Sequence, residues 1–173
     1  MTHQSLWAPW RMAYLRDLES READARVAGT TVDADFLRAA WLDVAHDEAH
    51  HVVFRNDHGL VMLNRYPYAN GHLLIALGEA RPTLMDYSAD QRARLWELVD
   101  VAADLVERAF HPQGINVGLN QGRAAGAGLP EHLHAHVVPR WGGDTNFMAT
   151  IGDVRVVPDS LDGSWKTLRA VQR

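Results

Sequence analysis

The spacing of apolar residues changes period several times along the chain, and each change marks an element. Over residues 33–44, Phe36, Leu37, Ala40, Trp41 and Val44 recur at helical spacing, with Asp33 or Asp35 placed to cap the helix. Two short extended runs follow, at 51–54 and 60–63. They flank Asn56-Asp57-His58-Gly59, a turn-forming tetrapeptide that predicts a hairpin. A third extended run, 72–77, comes after the turn Pro67-Tyr68-Ala69-Asn70-Gly71. Ser88 and Gln91 are spaced as a capping box for a long helix. Its stripe of Leu95, Leu98, Ala102, Leu105, Val106 and Ala109 is core and runs to about Phe110. Residues 115–119 form a fourth extended candidate, and 131–140 alternate apolar and histidine positions. Beyond Trp141 come the turn Asp144-Thr145-Asn146 and a further extended stretch at 154–157. Strands joined through turns with one long helix inserted predict an antiparallel α+β domain.

The N-terminal end has no such period. Trp7-Ala8-Pro9-Trp10 sets two tryptophans around a proline, so an ordered arm over about 1–25 is expected, lying on its own domain or on a second subunit. Residues 19–32 are polar and small. The 173 residues are expected to form one domain, 1–173, large enough to bury most of its unfolded surface.

Composition narrows the function classes. Hydrophobic residues are 47% and charged residues 23% of the chain, the usage of an ordinary soluble globular protein. Lys and Arg total 17 against 22 Asp and Glu, a formal charge of −5, which argues against a nucleic-acid polymer as partner. A small anionic ligand needs only a few local donors and is compatible with that charge. With no cysteine, disulfides and thiolate metal sites are excluded. No charged segment leads an apolar core at the N-terminus, and no apolar run approaches the ~18 residues of a membrane span, so a cytoplasmic protein without membrane attachment is expected.

The candidate chemistry lies in Glu131-His132-Leu133-His134-Ala135-His136-Val137-Val138-Pro139-Arg140. On a strand, alternate side chains share a face, so the three histidines would line one side and Leu133, Ala135 and Val137 the other. Three readings fit such a row: a three-histidine metal site, covalent catalysis at phosphorus, or buried structural histidines. The loop before the row favours phosphate. Gly122, Gly126 and Gly128 let the backbone turn sharply, and amides of such loops make anion nests. Asn64 and Asn120 each end a strand candidate and are suited to a ribose hydroxyl or a phosphate oxygen, although turn chemistry explains them as well. A dedicated zinc site would recruit a carboxylate or cysteine, and the only acid adjacent in sequence is Glu131. His46-Asp47-Glu48-Ala49-His50 is not a metalloprotease motif and reads as a wet cluster.

The row resembles the signature of the histidine-triad family, His-φ-His-φ-His-φ-φ with φ apolar, and matches it at every position. The resemblance extends to the Trp7-Ala8-Pro9-Trp10-Arg11-Met12 arm, Leu63-Asn64-Arg65-Tyr66-Pro67-Tyr68, Gly71-His72-Leu73-Leu74-Ile75, Asn116-Val117-Gly118-Leu119-Asn120, Gly126-Ala127-Gly128, and the run from Pro139 through Trp141 to Phe147. The arm and the Pro-Arg-Trp tail are similar to the branch containing bacterial diadenosine tetraphosphate phosphorylases, also called ATP adenylyltransferases. This resemblance implies a five-stranded antiparallel sheet with one long and one shorter helix, extended across a homodimer. It implies His134 as the nucleophile on an α-phosphate, His136 on the leaving-group oxygen, and His132 orienting the row through backbone bonds. It places Asn64 on the ribose and Asn120 with residues Gly126, Ala127 and Gly128 on the phosphate, with His72 in support. Arg140 is expected near the phosphates or as a solvated surface charge. An apolar base pocket would spread over segments such as Phe54 and Leu63. An adenine nucleotide is the implied substrate, with water or inorganic phosphate as acceptor. No cofactor is required, and any magnesium arrives with the substrate. Many relatives carry a Cys-x-x-Cys that binds structural zinc; here the corresponding stretch, 31–36, has no cysteine and is expected to pack as ordinary structure. Ala127-Gly128 stands where relatives carry a polar side chain for the leaving phosphate.

Overall fold

The computed structural model describes residues 35–144 and 157–172, which belong to one compact unit. The expected arm at 1–25 lies outside the described residues, as does the extended stretch at 154–157 except for Val157, which is not in a strand. Helix α1 is Phe36–Leu42, and of the two candidate caps Asp35 fills the role: its carboxylate accepts the Arg38 amide at 2.9 Å. Strands β1 (Val52–Arg55), β2 (Gly59–Leu63) and β3 (Leu73–Leu77) precede helix α2 (Ala89–Phe110). Both halves of its capping box form, between Ser88 and Gln91. Strands β4 (Gly114–Leu119) and β5 (His134–Arg140) follow, and helix α3 (Leu161–Ala170) closes the described chain. The hairpin turn forms as the sequence predicts, with the Asn56 side chain accepting the His58 and Gly59 amides.

The strands make one antiparallel sheet in the order β1-β2-β3-β5-β4. The period of two sorts its side chains between two cores. On one face Val61, Leu63, Leu73, Ile75, Ala135 and Val137 meet the α2 stripe and Leu168 of α3. Leu95, Leu98 and Leu105 are almost fully buried there, each contributing about 1.5–3 kcal/mol by leaving water. On the other face Leu60, Met62, Leu74 and Ala76 lie under Leu37 and Ala40 of α1. The second core is smaller, because α1 spans only seven residues. The expected apolar base pocket is therefore corrected: Leu63 and Phe54 pack into the α2 core, not on the α1 side.

The described residues hold three α-helices, one more than the sequence reading allowed. Pro158-Asp159-Ser160 and Gly163 look like turn residues, but Ser160 caps α3 by accepting the Gly163 amide at 3.0 Å. The helix covers one sheet edge: Trp165 Nε1 donates to the Val52 carbonyl at 2.9 Å, and Arg169 donates to that of Val53 at 3.1 Å. These bonds occupy the outer carbonyls of β1, which would otherwise template another strand. The opposite edge, β4, is exposed or half-exposed at every residue, and Val117 is 44% exposed. No helix among the described residues is long and apolar enough to cross a membrane.

Gly59 pairs with Leu77, and a Cβ there would overlap the Ala76 carbonyl oxygen and crowd the Leu77 Cα at 2.8 Å. Because backbone is in the way, no side-chain rotation relieves the contact. Gly59→Ala should lower folding stability by about 1–3 kcal/mol in urea denaturation. An unchanged midpoint would show that β2 and β3 can part at no cost.

Candidate active site

Register places the imidazoles. His134 pairs with Ala76 and His136 with Leu74, so both share the α1 side of the sheet with those residues. On the other flank His136 faces Gly118, and a Cβ at Gly118 would meet nothing within 4 Å, so the sheet surface beside His136 is bare. His132 is not on the strand, which begins at His134; it sits in the bend just before. Leu133 turns to the α2 core, which leaves the His132 ring on the α1 side with its neighbours. The His132 ring is 1% exposed and that of His134 5%, whereas His136 is half-buried.

Hydrogen bonds then set the protons. His134 Nδ1 lies 2.8 Å from the His132 backbone carbonyl, which can only accept, so the proton is on Nδ1 and the lone pair on Nε2. A separate chain of bonds fixes His136. The Tyr68 backbone N–H donates to His72 Nδ1 at 3.0 Å, which makes that nitrogen an acceptor and puts the His72 proton on Nε2. His72 Nε2 in turn donates to His136 Nδ1 at 3.0 Å, so His136 carries its proton on Nε2. Two adjacent rings, 5.1 Å apart between centroids, thus hold opposite tautomers. One presents a lone pair; the other presents a proton.

Electrostatics agree with that division. Burial holds the His134 pKa below the ordinary histidine value, and the positive charge of His132 pushes it the same way. The bond to the His132 carbonyl and the Asp35 charge oppose this without overcoming it. His134 is therefore a neutral imidazole at pH 7, the form with a nucleophilic nitrogen.

A model of the HIT domain matches residues 45–143, more than half of the chain. The chain belongs to the HIT family. It is 38% identical over 158 residues to the AP-4-A phosphorylase of Mycobacterium tuberculosis, covering 91% of this chain and 78% of that protein. That identity, over nearly the whole length, makes this HIT protein an enzyme. Among solved structures, a Hit-like protein involved in cell-cycle regulation from Bartonella henselae superposes with a TM-score of 0.56 at 25% identity, over 69% of this chain and 84% of that one. A zinc-bound histidine triad family protein from Mycobacterium smegmatis superposes with a TM-score of 0.55 at 25% identity, over 77% and 93%.

Within the HIT triad the other residues singled out in the sequence fare unequally. His72 joins His136 directly, and Asn64 reaches the cluster with its amide 3.3 Å from His72 Nδ1. Asn64 Oδ1 meanwhile accepts the Tyr66 amide at 2.9 Å, so turn chemistry and site placement coincide. The Asn120 side-chain amide lies beside His136, its Nδ2 3.4 Å from Nε2; with the proton on Nε2, a hydrogen bond there needs the amide turned to offer its oxygen. In the glycine loop, the Gly126 amide donates to the Arg123 carbonyl and that of Ala127 to the Gly122 carbonyl, so both are engaged in the turn. Arg140 is not brought to the triad. It lies six residues along β5 from His134, about 20 Å at strand rise. Its guanidinium forks onto the Asp144 carboxylate and bonds Asn116 Oδ1 at 2.8 Å. Of the two places expected for Arg140, near the phosphates or on the surface, it takes the surface, paired with Asp144. His46 and His50 both turn to Asp43, at 2.7 and 3.0 Å, as a mostly exposed cluster.

The structure adds two residues to those read from the sequence. Tyr68 supplies the amide that sets the His72 tautomer, and its ring, 44% exposed, lies 4.7 Å from that of His72 and 6.1 Å from that of His136. Its place two residues past Tyr66 in a Pro-containing turn was the only local signal. Asp35, read as a cap alone, also meets His132 Nδ1 at 2.7 and 2.8 Å. No sequence signal joins residues so far apart.

The lowered His134 pKa has a sign that can be checked. As pH falls below the ordinary value near 6.5, the unfolded chain takes up the proton before the folded one. Folding stability should therefore decline from about pH 6.5 down to the folded-state midpoint and then level off in this contribution. An NMR titration should put the His134 midpoint below 6.5; a midpoint at or above that value would contradict the burial argument.

Proposed function

We propose that this enzyme transfers or hydrolyses nucleoside monophosphates through a nucleotidyl-histidine intermediate on His134, with diadenosine tetraphosphate as the first substrate and inorganic phosphate as acceptor. The observation that supports this reading best is the pair of opposed tautomers on His134 and His136. The lone pair on His134 Nε2 forms the N–P bond to the α-phosphorus, and the P–O bond to the leaving ATP breaks. The electron pair stays on the leaving phosphate oxygen, to which the His136 Nε2–H donates a hydrogen bond. An oxygen of inorganic phosphate then attacks the adenylyl-histidine and releases ADP, and the imidazole recovers its lone pair. Water in place of phosphate would release AMP. The mycobacterial relative bears the name of the phosphorolytic enzyme, which favours phosphate.

The remaining roles follow from position. Asn64 binds the ribose, while Asn120 and the amide of Gly128, at the end of the glycine loop, bind the phosphate. Gly126 and Ala127 shape that loop. His72 supports through His136. No resident metal enters the scheme, and magnesium takes part only as a complex with the nucleotide. A three-histidine zinc centre is disfavoured, because His132 turns both ring nitrogens to protein oxygens and His134 commits Nδ1. A dinucleoside polyphosphate hydrolase or adenosine phosphoramidase uses the same residues and differs only in acceptor or leaving group. A silent nucleotide-binding module would bind nucleotide without turnover.

We also infer a homodimer joined through β4, in which two five-stranded sheets become one. This is supported by the contrast between the β1 edge, closed by α3, and the open β4 edge. Sedimentation of the chain should show a dimer; a monomer across the working concentration range would remove this inference and leave the chemistry untouched.

Incubation with diadenosine tetraphosphate, with and without phosphate, identifies the acceptor. ADP with ATP, formed only when phosphate is present, is expected; AMP with ATP would assign the hydrolase instead. His134→Ala should lose nearly all turnover and the acid-labile adenylyl adduct. His136→Ala should suffer less on substrates with good leaving groups. Retained turnover in His134→Ala would reject the nucleophile, and nucleotide binding with no turnover in either protein would leave the silent module.

A further inference from the structure

We propose that Asp35 is a positioning residue for the nucleophile: with the Leu77 carbonyl it holds the His132 ring as an imidazolium, and so fixes the backbone carbonyl that receives the His134 Nδ1 proton. The inference rests on the reading of His134 as nucleophile, but the protonation of His132 stands on its hydrogen-bond geometry together with the charge on Asp35. His132 Nδ1 lies 2.7 and 2.8 Å from the two Asp35 oxygens, and Nε2 lies 2.7 Å from the Leu77 carbonyl oxygen. A carbonyl oxygen can only accept, so Nε2 carries a proton. A carboxylate likewise only accepts, so Nδ1 carries one too. The alternative, a protonated Asp35, is disfavoured by its surroundings. Burial works to raise its carboxyl, but the hydrogen bonds from His132 and the Arg38 amide outweigh burial and hold it below the usual carboxylate range.

The pair is not a surface ornament. The His132 ring is almost wholly buried and the Asp35 carboxylate about three-quarters so, which weakens solvent screening of the two charges. The charged groups near them are Arg38 on α1, which also bonds the Gly78 carbonyl, and the mutually paired Glu79 and Arg81 after β3. Tyr87 lies near the same carboxylate and keeps its proton, donating it to the Glu79 carbonyl. The consequences run in two directions. Sterically, a ring pinned at both nitrogens prevents the bend before β5 from rotating, so the His132 carbonyl stays aimed at His134. Electrostatically, burial is what chiefly keeps His134 neutral, and the cation at His132 acts in the same direction while the Asp35 charge opposes it. Asp35 thus links the first turn of α1 to the proton state of a ring 99 positions later in the chain, 35 to 134.

Selective ¹⁵N labelling of histidine reads the ring nitrogens directly. In the full chain at about pH 7, where an ordinary histidine is mostly neutral, His132 should show two protonated ring nitrogens, assigned by their loss in His132→Gln. Asp35→Asn keeps a side-chain oxygen for the helix cap but removes the charge. In that variant His132 should revert to a singly protonated ring, and kcat should fall by about tenfold or more with KM changed less. Asp35→Glu should restore part of both. A singly protonated His132 in the native chain, or a doubly protonated one in Asp35→Asn, would overturn the proposal. If Asp35→Asn does not fold, the native spectrum alone decides. Absence of turnover in the native chain would sink the nucleophile reading, while the ring measurement would still test the pairing.

Discussion

The hydrogen bond from His134 Nδ1 to the His132 carbonyl constrains everything else at the site. It joins residues two apart, which a straight strand cannot do, so β5 must begin at His134 and the chain must bend before it. It also leaves a buried imidazole with its lone pair on Nε2. Breaking it would strand a buried donor, at a cost of about 1–3 kcal/mol. The His132 ring, tied to Asp35 and Leu77, holds the bend in place, so the backbone and the proton are determined together.

A second chain of bonds meets the first from the other side. It starts at a backbone amide, that of Tyr68, and a backbone amide cannot reverse its role. Each ring beyond it must therefore accept on Nδ1 and offer a proton from Nε2. The two chains impose opposite tautomers on neighbouring rings, so a nitrogen lone pair stands beside an N–H donor. Both chains begin in main-chain groups, so side-chain exchange with solvent does not scramble them.

The sheet supplies the rigid frame. One face is committed to α2, whose buried leucines hold β2, β3 and β5 in register. The other carries only the short α1, which leaves room beside His136 and over Gly118. Asp35 both caps α1 and meets His132, so one carboxylate serves the helix and the site. The edges divide in the same way, with β1 closed by side chains of α3 and β4 left open.

Local rules made much of this legible from residue order. Short extended runs between turns, with the alternating histidine row, placed the five strands of the described residues; period 3.6 placed α2, and the Ser88–Gln91 spacing located its start. The histidine alternation pointed to one face of β5, the strand end pointed to Asn64, and the family resemblance implied His72. These features depend on neighbours within about four positions, which the sequence displays directly. The α3 helix was hidden because its start is written in turn residues and its stability comes from contacts with β1 and α2. The supposed base-pocket residues Phe54 and Leu63 were misplaced, and the two places open to Arg140 were left undecided, for a related reason: neighbours in space could not be read from neighbours in sequence. Asp35 is the sharpest case. Its capping role is local and was foreseen, whereas its contact with His132 spans 97 positions and exists only because α1 folds back over the sheet. Residue order by itself determined which chemistry was available; the tertiary structure decided which nitrogen carries each proton, because a tautomer is set by whatever group the fold brings to the ring.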